Sequence, residues 1–320
     1  LHGAATEPIS VHVRDGFKPH RRLLRPSLKS IIIDSNAIDN RNNTDYNLTI
    51  QPGCPGGKEV SVMIHGAIVL EGGALRGVYT SGVLDVLQEH QLELECAAGV
   101  SAGALNALGY VSHQPGWAAK INLEYAHDPR YLGVRPLVKS HSLFGYDFMF
   151  GEISEQLIPF DYEAFYSSPQ RYVAVATNCL TGEPAFFERG KCVDIMRAAR
   201  ASASIPLIAP FVRFAGVPYL DGGIALSAPV DWALEQGYDK VVAVLTRNKG
   251  FRKPPVSRGQ QELSEVRYRR YPNLIRAMNT NPLRYNRQMA HFDKLEAQGK
   301  IFIIRPQWPI TISSLERDTL

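Results

Sequence analysis

The serine at the apex of a small-residue turn has the setting that most favours chemistry. It lies in Gly-Val-Ser-Ala-Gly at residues 99–103, between an apolar run and a helix-like run, Ala102 to Tyr110. A strand, a tight turn and a helix around G-x-S-x-G form the nucleophile-elbow pattern, in which the serine hydroxyl points out of the fold. Gly99 and Gly103 would let strand and helix pack closely. The pattern predicts a nucleophilic Ser101, and an ordinary Gly/Ser turn is the alternative.

A glycine-rich turn precedes this serine by one β-α unit. Ala67 to Leu70 predicts a buried strand, which continues into Glu-Gly-Gly-Ala-Leu-Arg-Gly at residues 71–77 and a helical pattern from Val78 to Glu89. Such a turn offers backbone N–H groups to a phosphate or a tetrahedral oxyanion. A Walker loop is excluded because no Gly-Lys-Ser/Thr follows, and the spacing fits a dinucleotide fingerprint poorly. With a serine elbow one unit later, an oxyanion hole fits best.

A third stretch is Tyr-Leu-Asp-Gly-Gly at residues 219–223, after the short apolar segment Phe211 to Val217. Gly222 and Gly223 follow Asp221 directly and would let backbone approach its carboxylate closely. A solvated Asp-Gly turn is the alternative.

Together the three stretches resemble the patatin-like phospholipase family, whose G-G-G-x-R-G, G-x-S-x-G and D-G-G/A motifs occur in this order. The resemblance implies that Ser101 is the nucleophile and Asp221 its base. It extends beyond the motifs, over roughly residues 61–306, and includes the Ala-Ser-Ala-Ser-Ile-Pro core of the segment from Arg197 to Phe211. The stretch L-E-G-G-x-x-R-G-V-Y-T-x-G-V-L-D is similar to a bacterial subgroup of this family.

The resemblance also implies an oxyanion hole formed by the backbone amides of Gly72, Gly73 and Ala74. Arg76 and Gly77 match the family motif, but Ala74 stands where the family has its third glycine. If that position needs a positive φ, alanine is strained and one donor is misaimed. Loss of one such donor typically lowers the rate by a factor of about 10² to 10³.

The implied chemistry is hydrolysis of lipid acyl esters by a serine–aspartate dyad. Ser101 Oγ attacks the ester carbonyl, Asp221 takes the proton, and water then hydrolyses the acyl-serine. Partial burial of Asp221 would raise its pKa and improve it as a base near neutral pH. The histidines show no metal-ligand spacing, so we expect no metal and no cofactor.

Two alternatives to the dyad stay open. The chain order Ser101, Asp221, His291 permits a Ser-Asp-His esterase. Against it, His291 lies in Leu283 to Ala297, which predicts an ordinary surface helix. The other alternative is a non-catalytic lipid- or protein-binding relative whose Ala74 loop is too distorted for turnover.

The alternation of strands and helices predicts an α/β fold, a three-layer α/β/α sandwich with a mainly parallel central sheet. We expect a poorly ordered N-terminal extension at residues 1–60, an acyl hydrolase domain at 61–310, and the start of a truncated C-terminal segment at 311–320. The predicted strands are 67–71, 94–100, 171–177, 185–188, 217–220, 240–245 and 301–304. The predicted helices are 77–90, 102–111, 193–202, 230–236 and 283–297.

Two segments bear on partners. Residues 113–170 are rich in aromatics, which form either an acyl-binding wall or lid, or simply core. The net charge is +4, and residues 247–276 carry nine Lys/Arg against two Glu, interleaved with Tyr268 and Tyr271. This basic segment is either a solvated loop or a contact with anionic lipid headgroups.

The remaining sequence features concern the protein's partners, location and oligomeric state. No nucleic-acid recognition module accompanies the charge, so no nucleic-acid partner is expected. The sequence has no run of eighteen apolar residues, and its four cysteines are unpatterned. We expect a cytoplasmic protein, with contact at the inner face of a membrane left open. The sequence predicts no oligomeric state.

Overall fold

The described residues, 63–140 and 142–312 of a computed structural model, contain one sheet with helices on both faces. The predicted extension at 1–60 lies outside the described residues, as do residues 313–320 of the predicted C-terminal segment. The strands are β1 (Met63–Leu70), β2 (Glu93–Val100), β3 (Arg171–Asn178), β4 (Pro184–Glu188), β5 (Val212–Phe214), β6 (Val217–Asp221), β7 (Val241–Val244) and β8 (Phe302–Ile304).

The sheet has the order β5-β6-β3-β2-β1-β7-β8, with β4 paired to β3. Strands β3, β2, β1, β7 and β8 run parallel to one another. Strands β4 and β6 pair antiparallel with β3, and β5 pairs antiparallel with β6. The predicted α/β fold with a mainly parallel sheet is therefore confirmed.

Helices cover both faces of this sheet. They are α1 (Gly77–Glu89), α2 (Ala102–Val111), α3 (Trp117–Tyr125), α4 (Val134–Ser140), α5 (Tyr146–Phe148), α6 (Tyr162–Ser167), α7 (Ile195–Ser202), α8 (Val230–Glu235), α9 (Arg258–Arg267) and α10 (Pro272–Ala297). A π-helical stretch spans Met149–Leu157, and short 3₁₀ turns span Ala74–Arg76 and Gly222–Ile224.

Alternate residues of the central strands pack in two separate cores. Ile68 and Leu70 of β1 pack in a core with α1, α2 and α7, whereas Ala67 and Val69 pack in a second core with α8 and α10. Successive side chains of a strand point to opposite faces, and a parallel sheet covered on both faces is apolar on both. The result is the three-layer arrangement.

The long C-terminal helix differs from the prediction. It was expected to begin at residue 283, after Pro282, but α10 begins at Pro272 and continues through Pro282. Proline lacks the N–H that would continue the helical ladder. Side chains add bonds to carbonyls of the preceding turn: Arg284 Nη2 lies 2.7 Å from the carbonyl of Ala277, and Thr280 Oγ1 lies 2.8 Å from that of Arg276.

Outside residues 113–170, one further strand and one further α-helix were not predicted. Strand β5 forms a hairpin with β6 across Ala215 and Gly216, both with positive φ, as in a type I′ turn. Helix α9 lies inside the basic segment, which therefore is not a loop throughout. A capping box begins this helix, with Ser257 accepting from the N–H of Gln260 and Gln260 reaching back.

Most large aromatics of residues 113–170 belong to the core. The buried ones are Trp117, Tyr131, Phe144, Tyr146, Phe160 and Phe165. They pack edge-on or tilted against one another within the core that contains α1 and α2. Of the two interpretations of this segment, the core interpretation fits these six side chains.

Two features of the described ranges bear on membrane insertion and metal binding. No helix there has the length and apolar character needed to cross a membrane. No group of three or more His, Cys, Asp or Glu side chains there is arranged to hold a metal ion.

Candidate active site

Ser101 and Asp221 lie together at the carboxyl edge of the sheet. The Ser101 hydroxyl donates a hydrogen bond to Asp221 Oδ2 over 2.6 Å. This is the short length expected when a hydroxyl donates to a carboxylate. The two residues are 6% and 7% exposed. Their side chains therefore interact where little water competes for the hydrogen bond.

Strand β3 sets the spacing of the two residues. Its Val175 pairs with Val100 at the end of β2, and its next residue, Ala176, pairs with Asp221 at the end of β6. Both partners lie on the same edge of β3, because β4 occupies the other edge. A parallel strand and an antiparallel strand thus meet end to end along β3. Their junction is the place where Ser101 and Asp221 come together.

The backbone at Ser101 is strained in the way an elbow requires. Its φ of 55° and ψ of −123° lie in a region that non-glycine residues rarely adopt. Helix α2 begins at the next residue, so its N-terminal partial positive charge lies beside the hydroxyl. A Cβ on Gly103 would lie 2.4 Å from the carbonyl oxygen of Leu70. Only glycine therefore permits this close crossing of α2 and β1.

The end of α7 supports the backbone of both residues. Ser202 Oγ accepts the N–H of Ser101 at 2.8 Å and donates to the carbonyl of Val175 at 2.6 Å. The carbonyl of Ser204 accepts the N–H of Asp221 at 2.8 Å. In the sequence, only its resemblance to the family distinguishes the Ala-Ser-Ala-Ser-Ile-Pro stretch. Its serines hold the two halves of the site in register.

Two glycines complete the Asp221 turn. Gly223 donates its N–H to Asp221 Oδ1 at 2.8 Å, so each carboxylate oxygen has a donor. A Cβ on Gly222 would lie 2.1 Å from the carbonyl oxygen of Val175. The turn therefore packs directly on β3, where a larger residue has no room. Thr177 Oγ1 donates to the carbonyl of Asp221 at 2.8 Å and fixes the turn from the same strand.

The glycine-rich turn after β1 lies against the serine elbow. A Cβ on Gly72 would be 3.0 Å from Ser101 Cβ, and one on Gly77 would be 2.9 Å from Ala102 Cβ. Within the described residues, the N–H groups of Gly72 and Gly73 form no backbone hydrogen bond. The turn therefore packs against the serine elbow with two N–H groups that no backbone carbonyl accepts.

Ala74, which stands where the family motif has a glycine, adopts a backbone conformation that favours glycine. Its φ is 47°, in the left-handed region that favours glycine. It begins the 3₁₀ turn Ala74–Arg76 that leads into α1. Arg76, the last residue of that turn, is partly buried, and burial lowers the pKa of its guanidinium. Ala74 thus holds a left-handed backbone conformation without being glycine.

The glycine-rich turn is attached to β7 through a buried carboxyl group. Glu71 Oε2 accepts the N–H of Thr246 at 2.6 Å and its hydroxyl at 3.1 Å. Thr246 Oγ1 also lies 3.1 Å from the carbonyl of Gly72, and a Cβ on Gly73 would lie 2.7 Å from Thr246 Oγ1. Burial raises the pKa of Glu71. Neither Glu71 nor Thr246 was proposed as a site residue from the sequence.

Burial also sets the electrostatics of Asp221. It raises the pKa of this carboxyl to about 6, and the hydrogen bonds from Ser101 and Gly223 and the charge of Lys253 limit the rise. A carboxylate with a pKa near 6 is a stronger base than an ordinary aspartate and is still mostly ionised at neutral pH. Lys253 also was not singled out from the sequence, since it is one of nine cations in the basic segment.

His291 has another partner. Its Nε2 lies 2.8 Å from Asp231 Oδ1 on α8, and both side chains are about half exposed. Asp221, in contrast, is buried and bonded to Ser101 and Gly223. The arrangement does not place His291 as the third member of a triad with Ser101 and Asp221.

A cavity of about 570 Å³ lies beside β4, away from the dyad. It is lined by apolar and charged side chains that include Phe186, Arg197, Phe214 and Trp232. Neither Ser101 nor Asp221 lines it.

The fold and this arrangement define an α/β protein with a serine elbow, a glycine-rich donor loop and a buried carboxylate partner. The chain belongs to the patatin-like phospholipase family: a family model of that description matches residues 68–234, more than half of the chain. A second family model, described as a domain of unknown function (DUF6363), matches residues 271–319.

The chain is also similar to individual proteins and to solved structures. The uncharacterized protein YjjU of Escherichia coli (strain K12) is 27% identical over 252 residues, which cover 76% of this chain and 69% of YjjU. The probable lipid hydrolase 463L of Invertebrate iridescent virus 6 is 28% identical over 186 residues, which cover 52% of this chain and 63% of that protein. The crystal structure of VipD from Legionella pneumophila matches with 14% identity and a TM-score of 0.31, over 63% of this chain and 53% of VipD.

Proposed function

We propose that this protein is a serine-dependent hydrolase of lipid acyl esters. The observation that carries the proposal is the 2.6 Å hydrogen bond from Ser101 on its strained elbow to the buried Asp221. Family membership and the name of 463L, a probable lipid hydrolase, support a lipid substrate. The proposal needs no third catalytic side chain and no metal.

Acylation is the first half of the proposed reaction. Asp221 takes the hydroxyl proton as Ser101 Oγ attacks the ester carbonyl carbon. The carbonyl oxygen becomes an oxyanion, which the N–H groups of Gly72, Gly73 and Ala74 stabilise together with the N-terminus of α2. The C–O bond to the alcohol then breaks, and the protonated Asp221 returns its proton to the leaving alkoxide. The products of this half are a free alcohol and an acyl ester on Ser101.

Deacylation repeats these steps with water as the nucleophile. Asp221, ionised again, takes a proton from water as the water oxygen attacks the acyl carbon. The second oxyanion collapses, the bond to Ser101 Oγ breaks, and Asp221 returns the proton to the serine. The fatty acid leaves and the site is restored. One carboxyl group thus serves as base and acid in both halves.

A second candidate function has one observation in its favour. Ala74 holds a positive φ without being glycine, and such strain is relieved by a small rotation that would turn its N–H away from the oxyanion. With that donor lost, the protein would be a family member that binds lipid or protein without turnover. Reaction of Ser101 with a fluorophosphonate distinguishes the two functions, because only a competent nucleophile becomes labelled.

Contact with an anionic membrane is proposed for α9 and the residues after it. Leu263 and Val266 are 53% and 76% exposed, and Arg267, Arg269 and Arg270 are exposed beside them. Tyr268, expected from the sequence to support such contact, is instead buried and accepts the N–H of Leu207 at 2.7 Å. Co-sedimentation with vesicles containing phosphatidylserine tests this surface, with all three arginines changed to glutamate as the comparison.

The test of the main proposal is hydrolysis of a short-chain and a long-chain p-nitrophenyl ester. Wild type, Ser101→Ala and Asp221→Ala are compared after circular dichroism shows that all three are folded. We expect both variants to lose a factor of at least about 10³ in kcat/KM, and wild type to prefer the longer chain. A wild-type protein inert on both esters would contradict the proposal.

A further inference from the structure

Lys253 lies in the segment between β7 and α9. Helix α10 contacts both the main chain and the ammonium group of this lysine. Its Nζ donates to Asn281 Oδ1 over 3.0 Å and lies 4.4 Å from the centre of the Tyr285 ring. Its backbone N–H donates to Asn286 Oδ1 at 2.8 Å, and Asn286 Nδ2 donates to its carbonyl at 3.0 Å. One helix therefore fixes both the main chain and the ammonium group of Lys253.

Asn281 connects this lysine to the turn that carries Asp221. Its Nδ2 donates to the carbonyls of Gly223 and Ile224, at 2.6 Å and 3.0 Å. The N–H of Gly223 in turn donates to Asp221 Oδ1. A single amide side chain thus bonds both the ammonium group of Lys253 and the turn of the candidate base.

The charges around Asp221 come from several elements. The positive charge of Lys253 acts on Asp221 and on Glu71, and burial lowers the pKa of the ammonium while these two carboxyls oppose that change. Arg76 and Arg247 lie close enough to repel Lys253. From the aromatic segment, the Tyr146 hydroxyl donates to the carbonyl of Ala203, and the phenol senses the charge of Asp221 and of Arg200 on α7. Ser101 and Gly223 supply the direct hydrogen bonds.

A buried carboxylate without a nearby cation is strongly driven to take up a proton, which would abolish its use as a base. We propose that Lys253 is a positioning residue that α10 holds through Asn281 and Tyr285, and that it stabilises the carboxylate form of Asp221. This inference rests on the proposed dyad. It also assigns a role to the segment matched as a domain of unknown function: α10 and β8 complete the sheet and the active site rather than forming a separate unit.

The kinetic test compares pH profiles of kcat/KM on a p-nitrophenyl ester. In Lys253→Met the acidic limb is expected to move at least about one pH unit upward, so that activity at pH 6 falls about tenfold more than activity at pH 9. Lys253→Arg keeps the charge and should keep the limb within about 0.3 units. Lys249→Met, an exposed lysine of the same basic segment, is the matched control and should leave the profile unchanged. A Lys253→Met profile lowered equally at every pH would overturn the inference.

A second measurement does not depend on activity. The unfolding equilibria of Lys253→Met, Asp221→Asn and the double variant are measured at pH 8 and form a double-mutant cycle. Each variant changes the unfolding equilibrium constant by some factor relative to wild type. We expect the factor for the double variant to be at least about fivefold smaller than the product of the two single-variant factors. Independent effects would overturn the inference even if wild type were an active esterase. Coupling in a protein without esterase activity would instead show that the proposed function, not the lysine's role, is wrong. Lys253→Gln replaces Lys253→Met if the latter fails to fold.

Discussion

Ser101 and Asp221 share a 2.6 Å hydrogen bond although 120 positions of the chain separate them. Each occupies the end of a different strand, and both strands pair with neighbouring residues of β3. Backbone pairing thus fixes the distance before either side chain contributes. The consequences of this arrangement for rate, pH dependence and stability can each be measured.

The pH dependence of hydrolysis should report on Asp221. Its pKa is raised to about 6, and it acts as a base only when ionised. We therefore expect kcat/KM to fall about tenfold per pH unit below pH 6 and to level off above pH 7. Steady-state kinetics between pH 4 and pH 9 measures this directly. Full activity retained at pH 4 would mean that a raised-pKa aspartate is not the base.

The same shift in pKa predicts a stability effect of the opposite sign. The folded protein holds the Asp221 proton more tightly than the unfolded chain does, so the ionised carboxyl lowers stability as the pH rises from 3.8 through about 6. Asp221→Asn should therefore be more stable than wild type at pH 8, by at most about 3 kcal/mol, with a smaller difference at pH 4. Urea unfolding at the two pH values tests this. An equal difference at both values would contradict the assigned cause.

Ser202→Ala should weaken both stability and catalysis. The variant leaves the N–H of Ser101 and the carbonyl of Val175 without the hydroxyl that joins them, at a site with no solvent exposure. We expect a loss of about 1–3 kcal/mol in the free energy of unfolding and at least a tenfold loss in kcat. Ser204→Ala is the control. The Ser204 hydroxyl donates to the carbonyl of Arg200 on α7, and the Ser204 carbonyl, which the substitution keeps, accepts the N–H of Asp221. Equal kinetic losses in both variants would contradict this role of Ser202.

Ala74→Gly should stabilise the protein. Alanine at a φ of 47° is strained by about 1–2 kcal/mol, and glycine removes that strain while adding about 0.4–1 kcal/mol of unfolded-state entropy. A net gain of about 0.5–1 kcal/mol in the free energy of unfolding follows, measured by urea titration. Ala119→Gly in the middle of α3 should instead lose about 1 kcal/mol. Destabilisation by both substitutions would show that Ala74 is not strained.

The local parts of this structure could be predicted from sequence because their signals are short in range. The strand, turn and helix around Ser101 and the glycine-rich turn at Gly72 each lie within one β-α unit. Helix α9 also had a visible signal, the Ser257 and Gln260 capping box. Pro282 misled the prediction of α10, because a proline inside a helical pattern usually marks a helix boundary, whereas α10 continues through it.

The supporting residues could not be found in this way. The pairing of β3 with two different strands brings Asp221 to Ser101, and pairing register over such separations leaves no local pattern. Ser202 was visible only as part of a stretch resembling the family, without a role. Lys253 had no signal at all, since its partial burial and its partner Asn281 are set by the packing of α10 on the sheet.

The most direct test of Ser101 as the nucleophile is its covalent labelling by a fluorophosphonate, followed by mass spectrometry of the peptide that contains it. We expect one label per chain on Ser101 in wild type at pH 8, labelling at least about 100-fold slower in Asp221→Asn, and no label on this peptide in Ser101→Ala. Folded wild-type protein that remains unlabelled, or that is labelled at another serine, would contradict the proposal that Ser101 is the nucleophile.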